Sequence, residues 1–343
     1  MGLSATEVFA LTRKLVDIES ITGNEGPVGD FLCAELLRLG YATRKMPVAG
    51  ARQNVYATWP AQEHPVVVFS THMDVVPPFI PSSENSSGDE GRIYGRGSCD
   101  AKGIIAAQIA AAEKLRDEGI YVGLLFVVGE ERDSLGAKVA NDQSPGSKFL
   151  VNGEPTENRI ATASKGALRV ELIAEGKMAH SAYPELGESA INKLLTALER
   201  LRRMELPVNP EIGPATLNIG VIEGGRAPNV IPDRARAQLL YRLVGPSAEL
   251  KQKITAAVEG CARAEFILEI PFQELRAFED MPTMVAAFTT DIPRLSNWGE
   301  PLLVGPGSIH VAHTEGEYIE KSQLLEAVEI YARIARKLLA GGF

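Results

Sequence analysis

Cysteine is scarce in this chain: Cys33, Cys99 and Cys261 are the only three in 343 residues. They are scattered and odd in number, which suits a reduced cytoplasmic setting better than a disulfide framework. Blocks of Lys and Arg are absent, and the formal net charge is -9. Nucleic acid and anionic membrane surfaces repel such a protein, so neither is expected as a partner. No apolar run approaches the roughly 18–20 residues that span a bilayer. The N-terminus lacks the basic segment and long apolar stretch of a secretory signal. Ser4 and Glu7 instead read as a capping box that opens a helix.

What is present is ordinary for a globular enzyme: 45% hydrophobic and 23% charged residues. The length is enough for two domains. Amphipathic helices are expected over residues 6–16 and 28–39. Apolar strands are expected over 54–59, 66–70, 122–128 and 149–151, with an Ala- and Ile-rich helix over 103–115. Near-continuous apolar strands alternating with helices indicate an α/β domain, with a mixed, largely parallel sheet and helices on both faces.

From about residue 165 the apolar period changes to two, as Leu168, Val170, Leu172 and Ala174 alternate with partners of the opposite face. A helix over 188–203, strands over 216–223 and 234–243, a helix over 247–263 and a strand over 265–270 follow. That β-α-β-β-α-β order is ferredoxin-like α+β. The expected division is residues 1–163 and 274–343 for the first domain, with 164–273 inserted. A strand near 302–304 and a helix over 322–339 close the chain.

Five short segments carry chemistry, and each follows an apolar strand or opens a helix. In Ser70-Thr71-His72-Met73-Asp74, His72 and Asp74 share a strand face. They read either as a structural pair or as a metal-bound imidazole steadied by a carboxylate. Asp100, in Gly95-Arg96-Gly97-Ser98-Cys99-Asp100, reads as a helix N-cap or as a ligand able to bridge two ions. It is preferred over Cys99 because a carboxylate has two oxygens. Glu130-Glu131 end a buried strand, where adjacent carboxylates repel unless a cation is near. One can ligate metal while the other serves as general base; a solvated turn is the plainer reading. Glu154 and His313 also follow apolar runs. Together His72, Asp100, Glu131, Glu154 and His313 form the ligand set of a hydrolytic two-zinc centre, placed at strand ends where α/β proteins bind ligands.

These motifs, in this order and over nearly the whole chain, resemble the M20 metallopeptidase family, which contains acetylornithine deacetylase, succinyl-diaminopimelate desuccinylase, aminoacylase and glutamate carboxypeptidase. The resemblance rests on Thr71-His72-Met73-Asp74, Gly95 to Gly103, Gly129-Glu130-Glu131, Gly153-Glu154-Pro155-Thr156 and Ala312-His313-Thr314 to Glu317-Tyr318. It implies two Zn2+ ions, with Co2+ a possible substitute. His72 and Glu154 would hold one ion, Glu131 and His313 the other, and Asp100 would bridge them. Asp74 would orient His72, and Glu130 would be the general base. The inserted domain would be a lid and homodimer interface. In Ala179-His180-Ser181, otherwise a polar turn, His180 would stabilise an oxyanion in the partner's site. Asn229 and Arg242 would bind the substrate carboxylate.

Gly305-Pro306-Gly307-Ser308-Ile309 followed by His313 and Glu317-Tyr318 is most similar to the acetylornithine deacetylase branch, which implies removal of an acyl group from a small N-acyl-L-amino acid. Thr290-Asp291-Ile292 departs from that branch's usual Thr-Glu-Ala. The alternatives are a desuccinylase, or an exopeptidase or dipeptidase of carboxypeptidase type. A non-catalytic relative that binds an amino-acid derivative would lack a ligand or the base, and none is missing. A two-metal phosphatase would need cationic phosphate clamps, which these motifs lack.

Overall fold

The computed structural model describes residues 2–84 and 91–341. The chain forms two compact units. The first comprises Met1–Thr162, Leu275–Met284 and Thr290–Phe343; the second comprises Ala163–Glu274 and Val285–Thr289.

In the first unit, helix α1 (Ala5–Val16) opens on Ser4, whose hydroxyl accepts from the Glu7 amide while the Glu7 carboxylate accepts from the Ser4 amide. That reciprocal pair satisfies two amides with no helical partner. Helix α2 (Gly26–Arg38) has Pro27 in its first turn, where a missing amide hydrogen costs nothing. Strands β1 (Ala42–Ala49), β2 (Arg52–Thr58) and β3 (Val67–His72) follow. Then come α3 (Lys102–Asp117), β4 (Gly123–Val127), α4 (Leu135–Asn141) and β5 (Phe149–Asn152).

The six-stranded sheet has the order β1-β2-β4-β3-β5-β10, where β10 is Glu300–Leu303. The pairs β1–β2 and β2–β4 are antiparallel; β4–β3, β3–β5 and β5–β10 are parallel. The sheet is therefore mixed and largely parallel, as its apolar strands require. Every residue of β3 is buried, and alternate residues divide between two cores. Val67 and Phe69 join the core that includes α1, α2, α3 and the final helix α7 (Lys321–Leu339). Val68 faces the opposite core, with Leu125, Ala137 of α4 and Trp298. Trp298 is fully buried, donates its indole N–H to the Ala140 carbonyl at 3.0 Å, and meets Tyr56 edge to face. Helices thus cover both faces, unevenly.

The second unit runs β6 (Gly166–Glu175), α5 (Ala190–Arg203), β7 (Thr216–Gly224), β8 (Arg234–Leu243), α6 (Ala248–Val258) and β9 (Arg263–Ile270). Its four strands pair antiparallel in the order β7-β8-β6-β9. That is the ferredoxin-like arrangement. Leu168, Val170 and Leu172 pack with Leu194, Leu239 and Ile254 as an independent core.

The structure differs from the sequence reading at several places, among them the assignment of Val285–Thr289 to the second unit rather than the first. Strand β1 was not expected, and helix α4 was not either. Helix α6 stops at Val258 rather than near residue 263, because Gly260 turns the chain at φ +73°, a conformation glycine takes without steric cost. Among the described residues no helix is long and apolar enough to cross a membrane.

Candidate active site

Parallel strands deliver the site. His72 ends β3 and is buried, with Nε2 2.9 Å from Asp100 Oδ1. Its Nδ1 lies 2.9 Å from the Asp74 main-chain carbonyl and 3.6 Å from the Asp74 carboxylate. A carbonyl only accepts, so Nδ1 carries a hydrogen and Nε2 is the nitrogen turned to the cluster. The backbone of Asp74, more than its side chain, fixes the ring. Burial alone would pull the His72 pKa down; Asp100, Asp74 and Glu154 raise it well above the ordinary value.

The Asp74 carboxylate has another task. Oδ1 accepts from the amides of Gly129 (2.9 Å) and Glu130 (3.1 Å); Oδ2 accepts from Glu131 (3.2 Å) and the Thr22 hydroxyl (2.8 Å). One buried carboxylate therefore sets the turn after β4 that carries both glutamates. Below that turn Arg52 and Glu25 form a buried, two-pronged ion pair, with both contacts 2.8 Å. A Cβ on Gly129, which has φ +83°, would meet Arg52 Nη2 at 2.6 Å. Only glycine fits there.

Asp100 lies between the two histidines. Its Oδ1 faces His72, and its Oδ2 is 3.5 Å from Nε2 of His313. Burial would raise its pKa, but His313 and His72 hold it well below the carboxylate range. Its peptide bond to Ala101 is cis. His313 Nε2 also lies 2.9 Å from Glu131 Oε1. The His313 backbone is left-handed, at φ +64°, an uncommon state for a non-glycine residue. Contacts with Asp100 and Glu131 push its pKa up to about 10. Glu154, just past β5, brings Oε2 within 3.9 Å of His72 Nε2. Burial and neighbouring carboxylates raise the pKa values of Glu154 and Glu131. Glu130 is partly exposed, and burial followed by Glu154 raises its pKa well above the usual range.

The five expected ligands are thus brought together in the first unit. Donor atoms of His72, Asp100 and Glu131 all lie within 4.8 Å of one another. Three carboxylates and two imidazoles at such spacing repel or trap protons unless cations join them. The donor set, oxygen and nitrogen without thiolate, fits divalent metal.

His180, Asn229 and Arg242 belong to the second unit. The short strand Ala179–His180 pairs with Val230–Ile231, and the Ser181 amide donates to the Asn229 carbonyl at 3.0 Å, so His180 and Asn229 are neighbours. The exposed His180 accepts the Ala182 amide on Nδ1. Arg242 sits on β8, opposite Ala167 of β6 and Thr216 of β7. Burial lowers its pKa.

Two buried carboxylates close to the cluster had no role in the sequence reading. Glu317, buried, accepts the amides of Gly97, Cys99 and Asp100 on Oε1 at 2.9, 3.1 and 3.1 Å. Its Oε2 meets Arg96 Nη1 at 2.5 Å. Nothing local marked Glu317 beyond its place in the last motif. Asp291, the departure already noted, is buried, and burial raises its pKa to about 7.

His72, Glu131 and Glu154 lie at or just past strand ends of a mixed, largely parallel sheet, Asp100 and His313 come from loops beside them, and together they make a candidate metal site. Residues 68–337 match the family described as Peptidase family M20/M25/M40. The chain belongs to that family, and with it to the hydrolases of amide bonds. A peptidase M20 domain-containing protein of Schizosaccharomyces pombe is 40% identical, with 95% of this chain and 84% of the relative covered. A probable carboxypeptidase of Aspergillus terreus is 37% identical over 97% of this chain and 86% of its own length. Among solved structures, a tripeptidase from Staphylococcus aureus superposes with a TM-score of 0.82 at 22% identity, covering 98% of this chain and 100% of that one. An M20 family metallo-carboxypeptidase from Sulfolobus solfataricus gives 0.73 at 16% identity, covering 96% and 98%. These two likenesses are of fold.

Proposed function

We propose that this protein is a metal-dependent exopeptidase of carboxypeptidase or dipeptidase type, releasing a terminal amino acid from a short peptide or N-blocked amino acid. The carrying observation is the attitude of Asp100, with one oxygen turned to each histidine. Names borne by the curated relatives favour this alternative over the acetylornithine deacetylase reading. Two divalent cations, Zn2+ by the donor chemistry, would be held by His72 and Glu154 and by Glu131 and His313, with Asp100 shared. When bound, such ions acidify water and polarise the amide carbonyl.

The chain's own groups do the rest. A Glu130 carboxylate oxygen takes a proton from the attacking water and gives it to the leaving amine. Asp74 holds Glu130 in place through the main chain. In this reading His180 donates to the developing oxyanion across a homodimer, while Asn229 and Arg242 receive the substrate carboxylate. Arg242 suits that role because its guanidinium is partly buried, and a desolvated cation binds a carboxylate strongly. Free thiols at Cys33, Cys99 and Cys261 fit a cytoplasmic setting.

The test is amine release by zinc- and cobalt-loaded protein from N-blocked dipeptides, free di- and tripeptides, N-acetylornithine and succinyl-diaminopimelate. Peptides are expected to be the best substrates. Preference for N-acetylornithine would restore the deacetylase reading, and inertness toward every amide would end both.

A further inference from the structure

We infer that Glu317 is a positioning residue of the metal pair, one that joins the bridging carboxylate to the segment carrying His313. The inference rests on the two-metal reading above. Glu317 does not itself qualify as a ligand, because its oxygens are committed. Oε1 collects three amides, those of Gly97, Cys99 and Asp100, at 2.9–3.1 Å. Oε2 takes the Arg96 guanidinium. Three amides converging on one oxygen specify a carboxylate: each is a charge-assisted bond, and together they fix the backbone they come from. One of the three belongs to Asp100, so the direction of its side chain is set from below.

Arg96 completes the bracket. The same Nη1 that meets Glu317 also donates to the Thr314 carbonyl at 3.1 Å, one residue beyond His313. The Gly95 amide donates to the Glu317 main-chain carbonyl at 3.0 Å. Just beyond, Tyr318–Glu320 pairs with Arg92–Tyr94. Asp100 and His313 are far apart in sequence and neither lies within a sheet strand. Besides the direct contact of their side chains, the Arg96–Glu317 pair ties the backbone of one to the backbone of the other. His72 and Glu154 differ, since β3 and β5 of the sheet hold them.

That contrast gives the inference a signature. Loss of the Glu317 charge should loosen the ion at Glu131 and His313, where both Asp100 and the His313 segment lose support, more than the ion at His72 and Glu154, where only the shared Asp100 does. Glu317→Gln keeps an amide-accepting oxygen but sets a donor against Arg96. Glu317→Asp keeps the charge and withdraws it by one methylene. Mn2+ titration of the metal-free whole protein, followed by electron paramagnetic resonance, reads both ions without reference to activity.

Wild type should take two equivalents and give the spectrum of an exchange-coupled pair. Glu317→Gln should bind the first ion nearly as wild type, bind the second ten-fold or more weakly, and lose the coupled spectrum at two equivalents. Equal second-ion affinity and an intact coupled spectrum in both variants would overturn the inference. Failure of both variants to fold would overturn it too, by assigning Glu317 to the fold. A wild type that binds a single ion would instead sink the two-metal reading on which it rests.

Discussion

At the scale of single residues, the cluster is a balance of mutually opposed charges, and each group's task follows from its neighbours. Of the three clustered glutamates, Glu154 and Glu131 face imidazoles and Glu130 does not, which favours Glu130 for the proposed proton-moving role. Glu130→Ala is expected to keep full metal content by elemental analysis and lose about 10²–10⁴-fold in kcat; retained turnover would remove it from that role. His313, like His72, holds its proton more tightly than a free imidazole. Its pKa is raised to about 10 in the folded, metal-free chain, above the ordinary 6.5. It therefore stabilises metal-free protein fully below pH 6.5, and that contribution fades as pH rises through 10. Metal must displace this proton. Loading Zn2+ at pH 7 should release protons, read as a binding heat that varies with the buffer's ionisation enthalpy. A heat independent of buffer would contradict the proposed ligand set.

At the scale of elements, strands β3, β4 and β5 place candidate ligands because each ends at the same edge of a parallel array. The turn after β4 depends on more than its strand: Asp74 gathers its amides and the Arg52–Glu25 pair lies beneath. Glu25 is fully buried, so Glu25→Ala would strand the Arg52 guanidinium. A destabilisation of roughly 3–5 kcal/mol is expected for a broken buried pair, measured as a shift in the urea midpoint. An unchanged midpoint would show that water replaces the lost partner.

The same elements explain what the amino-acid sequence could disclose. Strands β3 to β5 were legible because burial on both faces writes them as continuous apolar runs. Strand β1 was hidden: it is an edge strand whose only buried residue is Met46. Helix α4 was hidden as well, being seven residues long and entered through Ser134 in a left-handed conformation. The candidate ligands His72, Glu131 and Glu154 stood out because a charged residue after an apolar run is costly without a reason. Glu317 was not, since its partner Arg96 lies 221 positions away and folding alone joins them. The direct contact of His72 with the Asp74 carbonyl, rather than its carboxylate, was equally beyond side-chain patterning.

At the scale of the whole molecule, the candidate ligands all belong to the first unit, while His180, Asn229 and Arg242 belong to the second. Chelation should therefore speed hydrogen exchange at Gly129–Glu131 and at Gly97–Asp100, leaving the β6–β8 ladder protected. Uniform acceleration throughout the chain would contradict a metal role confined to the first unit. If His180 serves a partner's site, mixing His180→Ala with Glu130→Ala should regain activity that neither variant has alone, because each mixed dimer holds one complete site. No recovery would return His180 to its own subunit or to a turn.

The chain has two tryptophans. Trp298 is sealed against Tyr56, and Trp59 stacks on Tyr121 under Arg116. Both reside in the unit that carries the ligand cluster. Indole emission is thus a built-in optical gauge of that unit: a denaturation curve followed by tryptophan fluorescence will register its melting through the loss of these ring contacts.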